Sequence, residues 1–238
     1  MFWGFGMLRA VIFDMDGVII DSHPLHRETW KTFLGSLSRN VSDSELDFVL
    51  DGRKRSEILR HFLGALSDAD VLALGNRKDE LFKRAALQVK PIPGVLELID
   101  LLRAGGIATA VATSASKSRT HSTLDRLGLT SKFDIVVTGN DVVMGKPDPA
   151  IYWLVCQRLG IHPSGIVAIE DAESGILAAN RAGICCIGVA VHRSKKRLRA
   201  AGAAHVIKDF TSISLRELGS LLSGTQGSGT RRAVSNMD

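Results

Sequence analysis

Residues 8–17 read LRAVIFDMDG. The first six are largely apolar, rich in β-branched side chains, and stop at two carboxylates set two positions apart, followed by Gly17. Such a run reads as a buried strand, and its end as a polar loop. The rest of the chain decides what that strand pairs with. From Pro91, Pro93 and Gly94 onward the pattern alternates. A helix over 95–103 stops at Gly105 and Gly106, and a strand follows over 107–112. A helix over 116–127 ends at Gly128, and a strand covers 135–137. The next helix, 149–159, starts on a proline and has Gly160 after its end, a good start and a good stop. A strand over 166–169, a helix over 174–182 stopped by Gly183, a strand over 185–189, a basic helix and a last strand over 205–207 complete the series. Strand and helix in alternation with short turns predict an α/β fold, a doubly wound parallel sheet covered on both faces.

Residues 22–90 have another character. Leu46, Val49 and Leu50, then Ile58, Leu59, Phe62 and Leu63, then Leu81, Phe82 and Ala85 recur at helical spacing, and strand-like runs are missing. This predicts an inserted helical domain of three to five helices. The expected division is therefore a core of residues 1–21 and 91–222 and an insert of 22–90. The tail from Ser223, SGTQGSGTRRAVSNMD, is expected to be disordered.

The 238 residues are 45% hydrophobic and 23% charged, too apolar for chain-wide disorder. No stretch approaches the roughly 18 unbroken apolar residues of a membrane helix, so no membrane partner is expected. The start of the chain is apolar and aromatic but lacks a basic leader and a cleavage site, and does not read as a signal peptide. Three cysteines cannot build a disulfide framework, and Cys185 and Cys186 read as buried thiols of a reducing, cytoplasmic compartment. Cys156 reads as core. The net charge of +5 suits an anionic ligand. It also suits nucleic acid, but aromatics are only 5% with one tyrosine, which leaves base stacking poorly supplied. The basic run 195–199 reads as a solvated helix face, so no nucleic-acid partner is expected.

Ligands of open α/β sheets sit at the carboxyl ends of the strands. Four such ends carry complementary groups: Asp14 and Asp16; Thr113 and Ser114; Lys146, in the proline-stiffened run Gly145-Lys146-Pro147-Asp148-Pro149; and Glu170 with Asp171. Paired carboxylates beside a buried strand call for compensation, and oxygen ligands suit Mg²⁺. Hydroxyls at a helix start can hold a phosphate. Carboxylates, a lysine, hydroxyls and one metal together fit phosphoryl transfer through an aspartyl phosphate. The competing readings are weaker. His23 and His26 form an H-x-x-H pair, but no third zinc ligand is placed and Pro24 interrupts the face. Residues 139–146 lack the spacing and the terminal hydroxyl of a nucleotide phosphate loop.

The order Asp-x-Asp-Gly, Thr-Ser, Lys-Pro, Glu-Asp resembles the haloacid dehalogenase superfamily of phosphatases and phosphomutases, over about residues 8 to 220. Three segments are similar to its β-phosphoglucomutase and sugar-phosphate phosphatase branch: DMDGVIIDSHPLHRETW over 14–30, SASK over 114–117 and IEDAESG over 169–175. The resemblance implies a Rossmann-like core, with the helical insert as that branch's cap domain.

It also implies roles for individual residues. Asp14 matches the nucleophile. Asp16 matches the acid/base that protonates the leaving oxygen, and its backbone carbonyl would ligate Mg²⁺ together with Asp14, Glu170 and Asp171. Thr113 and Ser114 match the phosphate-binding pair, and Lys146 the cation that shields the transferring group. Ala115 and Lys117 fall within the matched substrate-binding segment. In the cap, His26 and Trp30 match the mutase pattern, and Gly52 with Arg55 its substrate loop. One position departs: those mutases carry a lysine just before the loop glycine, where Asp51 stands here, and an aspartate cannot pair with a phosphate.

The function expected is Mg²⁺-dependent hydrolysis of a small phosphomonoester, a sugar phosphate, by a monomer. A β-phosphoglucomutase-like isomerase is the alternative. Dehalogenation is disfavoured because Asp16 is present. Asp14 is expected to be ionised and Asp16 to carry the proton, their pKa values split by metal and by shielding.

Overall fold

The structure, a computed structural model, describes residues 8–86 and 89–224. The apolar start and the tail beyond residue 224 lie outside the described residues. Strand β1 (Ala10–Phe13) has all four side chains buried, as its sequence requires. The chain then leaves the sheet for α1 (His23–Gly35), a 3-10 turn (Glu45–Phe48), α2 (Arg55–Leu63) and α3 (Asp68–Ala85). It returns through α4 (Val95–Ala104), β2 (Ala108–Ala112), α5 (Lys117–Arg126), β3 (Ile135–Val137), α6 (Ala150–Leu159), β4 (Ile166–Glu170), α7 (Glu173–Arg181), β5 (Cys185–Val189), α8 (Lys195–Ala200), β6 (His205–Ile207) and α9 (Leu215–Gly224).

The strands lie in the order β3-β2-β1-β4-β5-β6 and every neighbouring pair is parallel. Side chains alternate between two cores. Val11, Phe13, Val111 and Ile169 face α4, α5 and α9, whereas Ala10, Ile12, Ala110 and Ala168 face α6, α7 and α8. Each fully buried aliphatic side chain contributes about 1.5–3 kcal/mol, so both layers are held by the same strands. The chain winds from β1 outward to β3 and then restarts at β4 on the other side of β1. The crevice of this topological switch opens at the carboxyl ends of β1 and β4, where Asp14 and Glu170 stand.

The helices between β1 and α4 have their own core of Trp30, Phe33, Leu34, Leu46, Ile58 and Leu59. The chain enters and leaves this unit through one narrow crossing, where Asp21 N–H donates to Lys90 C=O (2.9 Å) and Ile92 N–H to Ile19 C=O (3.0 Å). Among the described residues no helix is long and apolar enough to cross a membrane.

Three readings need correction. Pro24 does not break a helix; it sits in the first turn of α1, where a missing N–H costs nothing. Residues 45–48 form a 3-10 turn where an α-helical face was expected over 46–50. Helix α9 runs through Ser223 and Gly224, two residues of the expected disordered tail; the rest of that tail is not described.

Candidate active site

Lys146 sits beneath the crevice with its side chain 0% exposed. Its Nζ donates to Asp14 Oδ1 (2.6 Å), Glu170 Oε1 (2.5 Å) and the carbonyl of Ala112 (3.0 Å). Tyr152 Oη donates to the same Glu170 oxygen (2.5 Å). Burial alone would lower the Lys146 pKa, but the two carboxylates outweigh it and raise it. Burial pushes Asp14 well above the usual carboxylate range, with Glu170, Asp171 and Asp16 adding to the rise and Lys146 opposing it. Glu170 is raised by burial in the same way. Asp14 Oδ2 takes no hydrogen bond from the described residues, and Asp14 lines the pocket between the sheet edge and the helical insert.

Asp16 faces a different neighbourhood. Arg119, 5% exposed, forks onto it with Nη1–Oδ1 2.9 Å and Nη2–Oδ2 2.5 Å. Ser22 Oγ donates to Oδ1 (2.7 Å) rather than capping α1, and His26 Nε2 lies 3.1 Å from the same oxygen. Burial would raise the Asp16 pKa, but Arg119 and His26 hold it well below the usual range. His26 in turn has Lys78 Nζ 3.2 Å from its Nδ1. The Asp16 carboxylate only accepts, so the neutral ring presents Nε2–H to it and leaves Nδ1 to accept from Lys78. Burial, then Lys78, lower the His26 pKa to about 3. Burial, then Arg119, lower that of Lys78 to about 7.

From the protein groups alone the two aspartates are split, Asp14 raised and Asp16 lowered, whereas the expected order assigns the ionisation of Asp14 to a bound metal. The cause is local charge. Arg119 and His26 stand on the side of Asp16, whereas on the side of Asp14 two carboxylates share Lys146 and Asp171 stands beside them.

That imbalance fits a divalent cation. Asp14, Glu170 and Asp171 each offer an oxygen, and these atoms lie within 4.8 Å of one another. Glu170 Oε2 is buried without a hydrogen-bond partner. Hard oxygen donors of this kind suit Mg²⁺. Gly17 makes the approach possible: its φ is +76°, and a Cβ there would lie 2.3 Å from Asp171 Oδ2. The side chain of Asp16, turned to Arg119, is not part of this group. His23 and His26 do not act as a pair either, since His23 Nε2 faces Asp171 (2.7 Å) and His26 faces Asp16.

The pocket brings together Asp14, Asp16, His26, Trp30, Gly52, Arg55, Thr113, Ser114, Ala115 and Asp171 of the sequence-derived candidates. Lys146 and Glu170 lie below its wall. Lys117 is exposed and does not line it; its backbone N–H donates to Asn140 Oδ1 (2.8 Å). Ser114 Oγ donates to the carbonyl of Gly52 (2.5 Å), so it ties sheet to insert. Trp30 is 2% exposed and packs edge-on to Phe33 while also edging the pocket. Asp51 does not line the pocket. Its carboxylate lies at the start of α7, 3.4 Å from the N–H of Ser174 and 3.4 Å from Arg53. Sequence reasoning missed Arg119, Lys78 and Asp79, which all line the pocket.

The pattern described as haloacid dehalogenase-like hydrolase matches residues 11–189, which hold the four strand ends. The chain belongs to the haloacid dehalogenase-like hydrolases. Among curated relatives, a phosphorylated carbohydrates phosphatase of Thermotoga maritima is 37% identical over 205 residues, covering 84% of this chain and 94% of the relative. A β-phosphoglucomutase of Mycobacterium bovis is 28% identical over 245 residues, covering 90% and 92%. The crystal structure of a β-phosphoglucomutase from Clostridium difficile superposes with a TM-score of 0.82 at 24% identity, covering 92% of this chain and 99% of that one, and supports the shared fold. As a haloacid dehalogenase-like hydrolase the chain is an enzyme, with chemistry of the phosphatase or mutase kind.

Proposed function

We propose that this enzyme is an Mg²⁺-dependent phosphatase that removes the phosphoryl group of a small sugar phosphate through an aspartyl phosphate on Asp14. The observation that carries the reading is the pairing of Asp14 and Asp16. One has an oxygen fixed by buried Lys146 and the other left to the pocket; the second, two residues on, is held ionised by Arg119. Asp14 Oδ2 attacks phosphorus, the ester P–O bond breaks, and the departing alkoxide takes the proton that Asp16 gained in the water step of the preceding cycle. Asp16 then withdraws a proton from water as the water oxygen attacks the aspartyl phosphate, releasing phosphate and regenerating Asp14. The described arrangement, with Asp16 anionic, is the form required for this second half. Lys146 keeps Asp14 oriented, Thr113 and the start of α5 offer donors to the phosphoryl oxygens, and the insert shields the crevice from water. Asp14, Glu170, Asp171 and the Asp16 carbonyl would hold Mg²⁺, which supplies charge neutralisation of the transferring group.

The domain division at 21/22 and 90/91 goes with this reading, because the chain leaves the core and returns to it side by side where Asp21 N–H donates to Lys90 C=O. So do a monomeric state, a cytoplasmic setting and a small-molecule partner in place of nucleic acid. In α8 the basic run is partly spent on an ion pair of Arg197 with Glu173 (2.5 Å). Phosphorus NMR with Mg²⁺, β-glucose 1-phosphate and a trace of glucose 1,6-bisphosphate, followed by a panel of sugar and polyol phosphates, tests the reading. Free phosphate is expected. Glucose 6-phosphate forming without free phosphate would replace the phosphatase by a mutase.

A further inference from the structure

Four cationic side chains line the pocket: Arg53, Arg55, Lys78 and Arg119. Each is engaged by the protein itself. Arg119 grips Asp16. Lys78 faces His26 and lies 5.0 Å from the Trp30 ring and 4.9 Å from that of Phe82. Arg53 pairs with Asp51 and rests 4.5 Å over Phe48. Arg55 donates to Asp79 Oδ2 (2.5 Å), and the same oxygen takes the hydroxyl of Ser116 (2.6 Å).

Helix α3 is shaped for that last contact. Gly75 and Asp79 stand one turn apart on one face. A Cβ at Gly75 would lie 2.2 Å from Arg55 Nε and 2.5 Å from its Cζ, so the missing side chain forms the bed on which the guanidinium lies. Glycine inside a helix is disfavoured for the helix itself. Asp79, 7% exposed, closes the bed, and its Oδ1 takes no hydrogen bond from the described residues.

We infer that Asp79 determines specificity by holding Arg55 and Ser116 away from any second anionic group, so that the pocket accepts monophosphates whose far end carries hydroxyls and rejects bisphosphates and phosphorylated acids. This rests on the phosphatase reading and deepens it. Passing the phosphoryl group to a second hydroxyl of a monophosphate makes a bisphosphate, and its second phosphate would lie against the Asp79 carboxylate. A hydroxyl donating to Asp79 Oδ1 is favoured there, whereas an anion meets like charge.

The test compares sorbitol 6-phosphate with 6-phosphogluconate, which share chain length and differ at the far end in a hydroxymethyl against a carboxylate. Initial rates are measured for the wild type, Asp79→Asn and the double variant Asp79→Asn/Arg55→Ala, with circular dichroism confirming that each is folded. The wild type should favour sorbitol 6-phosphate by about tenfold or more in kcat/KM. Asp79→Asn should narrow that ratio about tenfold, through KM for the acid, and the double variant should lose the gain because Arg55 provides it. A wild type that takes both esters alike, or a ratio unchanged in Asp79→Asn, would overturn the assignment. Release of phosphate from no ester would instead count against the phosphatase reading. Calorimetric binding of the same two probes then decides on Asp79: equal or tighter binding of 6-phosphogluconate to the wild type refutes its role, and tightening only in Asp79→Asn supports it.

Discussion

Lys146→Met removes the one charge that holds three buried groups together. The native side chain is 0% exposed and lies 2.6 Å from Asp14 and 2.5 Å from Glu170, whose side chains are 9% and 1% exposed. Methionine fills most of the same volume, so the change is chiefly electrostatic. Taking one partner from a buried pair strands the other charge and costs about 3–5 kcal/mol. For a chain of this size each kcal/mol moves Tm by about 2–4 °C, which gives a fall of roughly 6–20 °C. The sign with pH follows from the carboxylates. Asp14 and Glu170 have raised folded-state pKa values, so their protonated forms favour the fold, and that contribution is lost as pH rises from the ordinary values of 3.8 and 4.5 through the folded ones. Losing Lys146 enlarges this effect, so the deficit of the variant should be greatest at neutral pH and shrink in mild acid. Thermal unfolding by circular dichroism in the presence of chelator measures it. Neutralising a stranded carboxylate in Asp14→Asn/Lys146→Met should restore at least half of the lost Tm. A single variant within about 2 °C of the wild type, or a double variant no better than the single, would refute the reasoning.

Three further outcomes are expected. His26 is neutral in the fold and charged in the unfolded chain between about 3 and 6.5, so its contribution is intact above 6.5 and is lost as pH falls through that window, at up to about 1.4 kcal/mol per pH unit. His26→Gln should flatten the acid decline of urea-unfolding free energy, and parallel declines would remove His26 as its source. Mg²⁺ should raise the wild-type Tm, by about 2.7 kcal/mol of added stability at a hundred times its Kd, and should do much less in Asp171→Asn; equal shifts in both would place the ion elsewhere. Gly17→Ala puts a Cβ 2.3 Å from Asp171 Oδ2 at a φ of +76°, so the Mg²⁺ midpoint for that thermal shift should move up about tenfold or more. An unmoved midpoint would show that the loop yields without disturbing Asp171.

The strands were legible because a strand buried on both faces is a contiguous apolar run, and because glycines end most of the helices between them. Ile135–Val137, Cys185–Val189 and His205–Ile207 have the boundaries read from sequence. Helix α1 escaped notice because proline breaks a helix inside but suits its first turn. Local pattern also reaches Asp14, Thr113, Lys146 and Glu170, since each ends or follows a strand. It does not reach Arg119, whose meaning depends on the face that α5 turns to Asp16. A signal was present: Arg119 lies three residues after Ser116, the N-cap of α5, whose hydroxyl accepts the N–H of Arg119 (3.3 Å). The contact of Arg55 with Asp79 is tertiary, across 24 positions and two helices, and no spacing rule announces it. Lys117 shows the converse, a match in sequence whose side chain the fold leaves outside the pocket.

The most direct test of the account is to quench the enzyme in acid during turnover of its best sugar phosphate with Mg²⁺, digest it, and locate the phosphoryl group by mass spectrometry. One phosphoryl group on the peptide that contains Asp14, present in the wild type and absent from Asp14→Asn, is the predicted result. Steady release of phosphate with no phosphoryl group on Asp14, or with one on another residue, would contradict it.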